Sequence, residues 1–87
     1  QKMALETRAI DTIIHRFKSR EKNPPNLYFE NGMLWADTDS EQDAEIIKQG
    51  LESVIINTCR VKVSKIQPTK QQPWSQYSFE VTAPEGI

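Results

Sequence analysis

The stretch Leu27-Tyr28-Phe29-Glu30-Asn31-Gly32-Met33-Leu34-Trp35-Ala36 decides the fold, because Asn31-Gly32 divides two largely apolar tetrapeptides. A two-residue type I′ turn needs positive φ at both central positions, and Asn followed by Gly tolerates it best. The stretch is therefore predicted to be a β-hairpin, with Glu30 opposite Met33, Phe29 opposite Leu34, Tyr28 opposite Trp35 and Leu27 opposite Ala36. Residues directly opposite share a face. One face then carries Leu27, Phe29, Leu34 and Ala36, and the other carries Tyr28, Glu30, Met33 and Trp35. Both are largely apolar, whereas an ordinary surface hairpin alternates core and solvent residues. This one is either covered on both sides or turns its second face to a partner.

Upstream of the hairpin, Met3, Ile10, Ile13, Ile14 and Phe17 recur at helical spacing on an arc of roughly 100°. A helix is expected over about 3–20. The cations at its end, Arg16, Lys18, Arg20 and Lys22, suit the negative pole of the helix dipole, which explains them without a bound phosphate. Pro24-Pro25 forbid its continuation.

Downstream, Asp37, Asp39, Glu41, Asp43 and Glu45 stand at every second position. A calcium loop of the helix-loop-helix type needs Gly at its sixth position and Glu at its twelfth; counted from Asp37 these hold Gln42 and Lys48. A helix start fits better, with Asp39 or Ser40 capping free amides and the acids at the positive pole. Ala44, Ile47, Leu51, Val54 and Ile55 continue at three-to-four spacing, so a second helix is expected over about 40–56. Gly50 inside it suggests close approach of a neighbouring backbone. Thr58 to Ile66 then alternates, with Cys59, Val61 and Val63 on one side and Arg60, Lys62 and Ser64 on the other, as a half-buried strand does. Gln67 to Pro73 has the composition of a flexible connection. Alternation returns over Trp74 to Thr82, with Tyr77, Phe79 and Val81 inward and Gln76, Ser78, Glu80 and Thr82 outward. A flexible tail is expected over about 83–87.

The order α-β-β-α-β-β predicts one α+β domain over 1–87, a four-stranded antiparallel sheet with two helices on one face. The same order arises by moving the first strand of a βαββαβ unit to its end, which makes the fourth strand central, between the second and third, and the first an edge. The opposite sheet face would be open, showing Arg60, Lys62, Gln76, Ser78 and Glu80 beside Tyr28, Met33 and Trp35.

Eighty-seven residues leave room for one small core. Eleven Lys/Arg against twelve Asp/Glu give a net charge of −1, with a pI near 5.8. That balance lacks the basic excess of proteins that draw affinity from phosphate neutralisation. Cys59 is the single cysteine, so no intramolecular disulfide forms and a reducing cytoplasm is the expected compartment. No apolar run approaches the ~20 residues of a spanning helix, and no signal-peptide core opens the chain. No membrane partner is expected.

Chemistry is sparse. His15, the sole histidine, falls on the exposed side of the first helix, and Cys59 alternates with valines as a buried, inert thiol does. Metal-ligand spacing, a phosphate loop and a dinucleotide glycine motif are all missing. The expectation is a non-enzyme without cofactor or metal. Tyr28, Met33 and Trp35, with Arg60 and Lys62 beside them, are the candidate partner-binding residues, because Tyr, Trp and Met enrich interface centres. The partner would be another protein or a second copy of the chain, the role that of a small regulator, adaptor or inhibitor. The alternative is single-stranded nucleic acid, stacked on Tyr28 and Trp35 with Arg60 and Lys62 near phosphates. A third reading, the acidic run as a mimic of a phosphate backbone, is again protein binding.

Overall fold

The computed structural model describes residues 2–54 and 60–82. Six elements follow in order: α1 (Lys2–Ser19), β1 (Leu27–Glu30), β2 (Met33–Ala36), α2 (Glu41–Val54), β3 (Arg60–Ile66) and β4 (Gln76–Thr82). The strands form one antiparallel sheet in the order β1-β2-β4-β3. This is the α+β arrangement that the element order implies, with β4 central and β1 at an edge.

The hairpin has the expected register, Leu27 with Ala36 through Glu30 with Met33. Its turn residues Asn31 and Gly32 have φ of 56° and 75°, the left-handed geometry that the Asn-Gly pair accommodates. From this register one apolar row runs across the whole sheet: Phe29, Leu34, Phe79 and Val63 are successive cross-strand partners. Leu34, Ala36, Tyr77 and Phe79 are buried against Ala9, Ile13 and Phe17 of α1 and Ala44, Ile46, Ile47 and Leu51 of α2. Leu27, Phe29, Val61 and Val63 pack partly buried at the margins. Both helices therefore cover one face, and the hairpin's Leu27/Phe29/Leu34/Ala36 face is the one turned towards them.

The helix ends show why the elements stop where they do. At the end of α1, the Lys22 amide donates to the Phe17 carbonyl and the Glu21 amide to that of Lys18, both at 3.0 Å, with Glu21 at φ 56°. This paired return closes the helix before Pro24-Pro25 are reached. At the start of α2, Ser40 is the cap: its Oγ accepts from the Asp43 amide at 3.2 Å. The Ser40 amide donates in turn to Thr38 Oγ1 at 3.1 Å, and Thr38 Oγ1 donates to Asp43 Oδ2 at 3.1 Å. The other oxygen, Asp43 Oδ1, is buried without a hydrogen bond among the described residues and faces the Lys22 ammonium at 3.1 Å. One carboxylate thus ties the end of α1 to the start of α2. A Cβ on Gly50 would stand 2.7 Å from Ile13 Cγ1 and 3.4 Å from Ile13 Cα, so the glycine lets α1 and α2 pack closely at this point.

Three expectations need correction. The last strand begins at Gln76 rather than Trp74, and Trp74 lies exposed in the preceding loop. The loop joins β3 to β4 as expected, and within it the Thr69 amide donates to the Gln72 carbonyl at 2.8 Å and the Gln72 amide donates to Thr69 Oγ1 at 3.0 Å. Val81 has the inward parity yet is 40% exposed: β2 pairs with β4 only as far as Glu80, so Val81 lies past the end of the hairpin. Gln76 and Ser78 have the outward parity yet are buried, for reasons that belong to the outer face. Ile55, Cys59 and the tail over 83–87 lie outside the described residues.

Candidate functional site

The sheet face away from the helices is built from two cross-strand rows. Tyr28, Trp35, Ser78 and Ser64 form one, and Glu30, Met33, Glu80 and Lys62 form the other. Alternation along each strand places all eight on the face opposite Phe29, Leu34 and Phe79. Tyr28, Met33 and Trp35 are each half-buried, while Glu30, Glu80 and Lys62 are exposed. The structure therefore brings together four of the five candidate residues, with Lys62 two strands away from Met33 in the same row. Arg60 shares the parity of Lys62 and pairs with Thr82; its side chain lies outside the described residues.

The aromatic rings do not stand up from the sheet. Trp35 Nε1 donates to the Glu30 carbonyl at 3.0 Å, so the indole leans across β1 towards the turn. Tyr28 OH accepts from Gln76 Nε2 at 2.6 Å. Since β2 separates β1 from β4, the Tyr28 ring must lie across β2 to make that bond. Laid flat, these rings form a second thin layer on the sheet and account for the burial of Gln76 and Ser78, which are 3% and 6% exposed.

Gln76 is the centre of this layer's polar support. Its Nε2 also donates to Asp37 Oδ1 at 2.7 Å, and its Oε1 accepts from Gln72 Nε2 at 2.8 Å. Asp37 Oδ2 accepts from Asn26 Nδ2 at 3.1 Å. A buried amide left without partners costs about 1–3 kcal/mol, and here donor and acceptor are both used. Sequence reasoning missed Gln76 and Gln72. The available signal for this pair was a long amide at a strand start four residues after Gln72, which supplies the second amide.

The remaining candidate chemistry stays dispersed. His15 is exposed on α1 and lines a groove of about 590 Å³ with Asp11, Thr12, Arg16, Arg20 and Ser53. Three of its side chains bond locally: those of Ser19 and Arg20 donate to the Arg16 carbonyl and Ser53 Oγ to that of Gly50. A cleft of about 370 Å³ lies between Asp37-Thr38-Asp39 and the loop residues Pro68, Pro73 and Trp74. Among the described residues no group of three or more His, Cys, Asp or Glu is placed to hold a metal ion, and no helix is long and apolar enough to cross a membrane. Compared with protein-family models, with curated proteins and with solved structures, the chain matches none.

Proposed function

We propose that the chain is a non-enzymatic protein-binding module, a small regulator, adaptor or inhibitor of the cytoplasm. Its contact surface is the outer sheet face, centred on Tyr28, Met33 and Trp35 and edged by Lys62 and Arg60. The observation that carries this reading is the pinning of the rings: the Tyr28 hydroxyl and the Trp35 indole nitrogen are both bonded inside the fold. Their apolar faces are thereby held in one orientation before any partner arrives, and little side-chain entropy remains to be lost on binding. Half-exposed Tyr28, Met33 and Trp35 stand side by side on β1 and β2 with Glu30 and Glu80 next to them, and Tyr, Met and Trp are the residue types that enrich interface centres.

The test is Trp35→Ala. Trp35 is half-buried, so its removal should cost ~1–2 kcal/mol of folding stability, below the ~3–5 kcal/mol of a core aromatic. Interface anchors are worth ~2 kcal/mol or more of affinity. The variant should stay folded by circular dichroism and lose at least tenfold in affinity for a partner captured by the wild-type chain. Capture that is indifferent to Trp35→Ala and Met33→Ala moves the binding surface elsewhere.

A further inference from the structure

β3 is the last strand of the sheet order, and among the described residues no strand pairs with its free side. It has seven residues, roughly 23 Å of strand, where the opposite edge, β1, has four. An antiparallel ladder turns the amides and carbonyls of alternate residues to opposite sides, so about half of the residues of β3 offer theirs outward. Beside this edge runs a groove of about 430 Å³ between α2 and the sheet, with Ala44, Val63 and Tyr77 as its apolar lining. Apolar surface continues along the edge. Val61 and Val63 face the helices yet are only half-buried, and Val81, the cross-strand partner of Val61, is 40% exposed.

From these features we infer that the β3 edge is a second binding surface, whose occupant is an extended segment of another protein, added to the sheet as a further strand, with apolar and acidic side chains in alternation. The edge adjoins the outer face at Lys62 and binds whether or not that face does. In this mode main-chain hydrogen bonds supply affinity and alternate side chains supply the choice of sequence. Residues directly opposite share a face. Side chains beside Val61 and Val63 therefore turn towards α2 and the groove, where apolar ones cover surface now left to water. The rim of the groove carries both signs, Glu41 and Glu45 with Lys48 and Lys65, and favours neither charge. Side chains beside Arg60 and Lys62 turn to the outer face. β3 holds three cations, Arg60, Lys62 and Lys65, and no acid. Lys62 is exposed and stands next to Glu80 on its other side, so an acid beside it continues a row of alternating sign. The same cations set a second copy aside as the occupant. Two β3 strands paired with each other put three cations beside three with no acid between them, and like charges across a ladder destabilise it.

The test is a titration of the isotope-labelled whole chain with seven-residue peptides, blocked at both ends and followed by amide chemical shifts. An alternating valine-glutamate peptide should shift amides of β3 and of the first half of α2 and leave those of Tyr28 and Trp35 unmoved. Its valine-lysine counterpart should bind at least tenfold more weakly. Arg60→Glu combined with Lys62→Glu should reverse the order of the two peptides. Two further valine-glutamate peptides carry N-methyl groups, one on every valine and the other on every glutamate. A strand added to β3 directs only one of these two sets of amides at the edge, so one methylated peptide should lose binding and the other keep it. Equal effects of the two methyl patterns show that no strand is added and overturn the inference. Shifts confined to Tyr28, Met33 and Trp35 overturn it too, as does the absence of any shift at about 1 mM peptide. Shifts of β3 amides that depend on the concentration of the chain alone make a second copy the occupant and equally overturn it.

Discussion

Gln76 is the side chain on which the outer face depends. It is 3% exposed and bonded to Tyr28, Asp37 and Gln72, so it joins β1, the end of β2 and the β3–β4 loop through one amide. Gln76→Ala leaves the Gln72 amide and the Asp37 carboxylate each one partner short and frees the Tyr28 ring. Tyr28→Phe removes one hydrogen bond and leaves Gln76 its other two partners. The expected cost is about 2–4 kcal/mol for Gln76→Ala, and about 1 kcal/mol for Tyr28→Phe. Urea unfolding of the two variants checks the ranking, and equal costs would mean that the network is not organised by Gln76. A glutamine at an outward position of an alternating strand reads as solvated, and parity placed Gln76 on the right face. Its burial was illegible because it depends on a tyrosine reaching over an intervening strand, and no pattern along the sequence encodes that reach. The hairpin face carrying Tyr28, Met33 and Trp35 was legible because a two-residue turn leaves no freedom of register.

At the scale of elements, the two helices are held by a glycine. The added Cβ of Gly50→Ala would meet Ile13 Cγ1 at 2.7 Å and Ile13 Cα at 3.4 Å. Ile13 is fully buried and branched at Cβ, so its γ-carbon has little freedom to swing aside. Alanine gains roughly 1 kcal/mol of helix propensity over glycine, while overpacking a core costs ~1–3 kcal/mol. The clash should win, and Gly50→Ala should lower stability by up to about 2 kcal/mol. With Ile13→Ala in the same chain the clash disappears, so the double variant should be more stable than the sum of the single effects predicts, by denaturant midpoint. Strict additivity would show that the helices do not meet there. The position of every described element was readable for a related reason: each is either strongly periodic, as in α2, or bounded by a turn that only certain residues form. The start of β4 was misread by two residues, because Trp74-Ser75 continue the alternation although β3, which ends at Ile66, pairs with β4 only from Gln76.

The molecule as a whole is nearly neutral but its charges are segregated, and that segregation decides between a protein and a nucleic acid on the outer face. Arg8, Arg16, Lys18 and Arg20 outnumber Glu6, Asp11 and Glu21 along α1 and its end, while Glu41, Asp43, Glu45 and Glu52 outnumber Lys48 on α2. The aromatic platform is on the far side of the sheet from both helices, where Lys62 shares its row with Glu30 and Glu80. Single-strand binding proteins combine stacking rings with a cationic track, and the affinity depends on cations lying beside the rings. Here the rings and most of the cations are on opposite sides, and two carboxylates stand where the phosphates would run. A labelled oligothymidylate should therefore bind no more tightly than about 10 µM at 150 mM salt. Any binding gained at low salt should follow the cations of α1, falling with Arg16→Ala and Arg20→Ala and indifferent to Trp35→Ala. Fluorescence anisotropy with these variants separates the cases. Sub-micromolar binding at physiological salt that is lost with Trp35→Ala would require phosphates to pass between Glu30 and Glu80, and would make nucleic acid the ligand of the face.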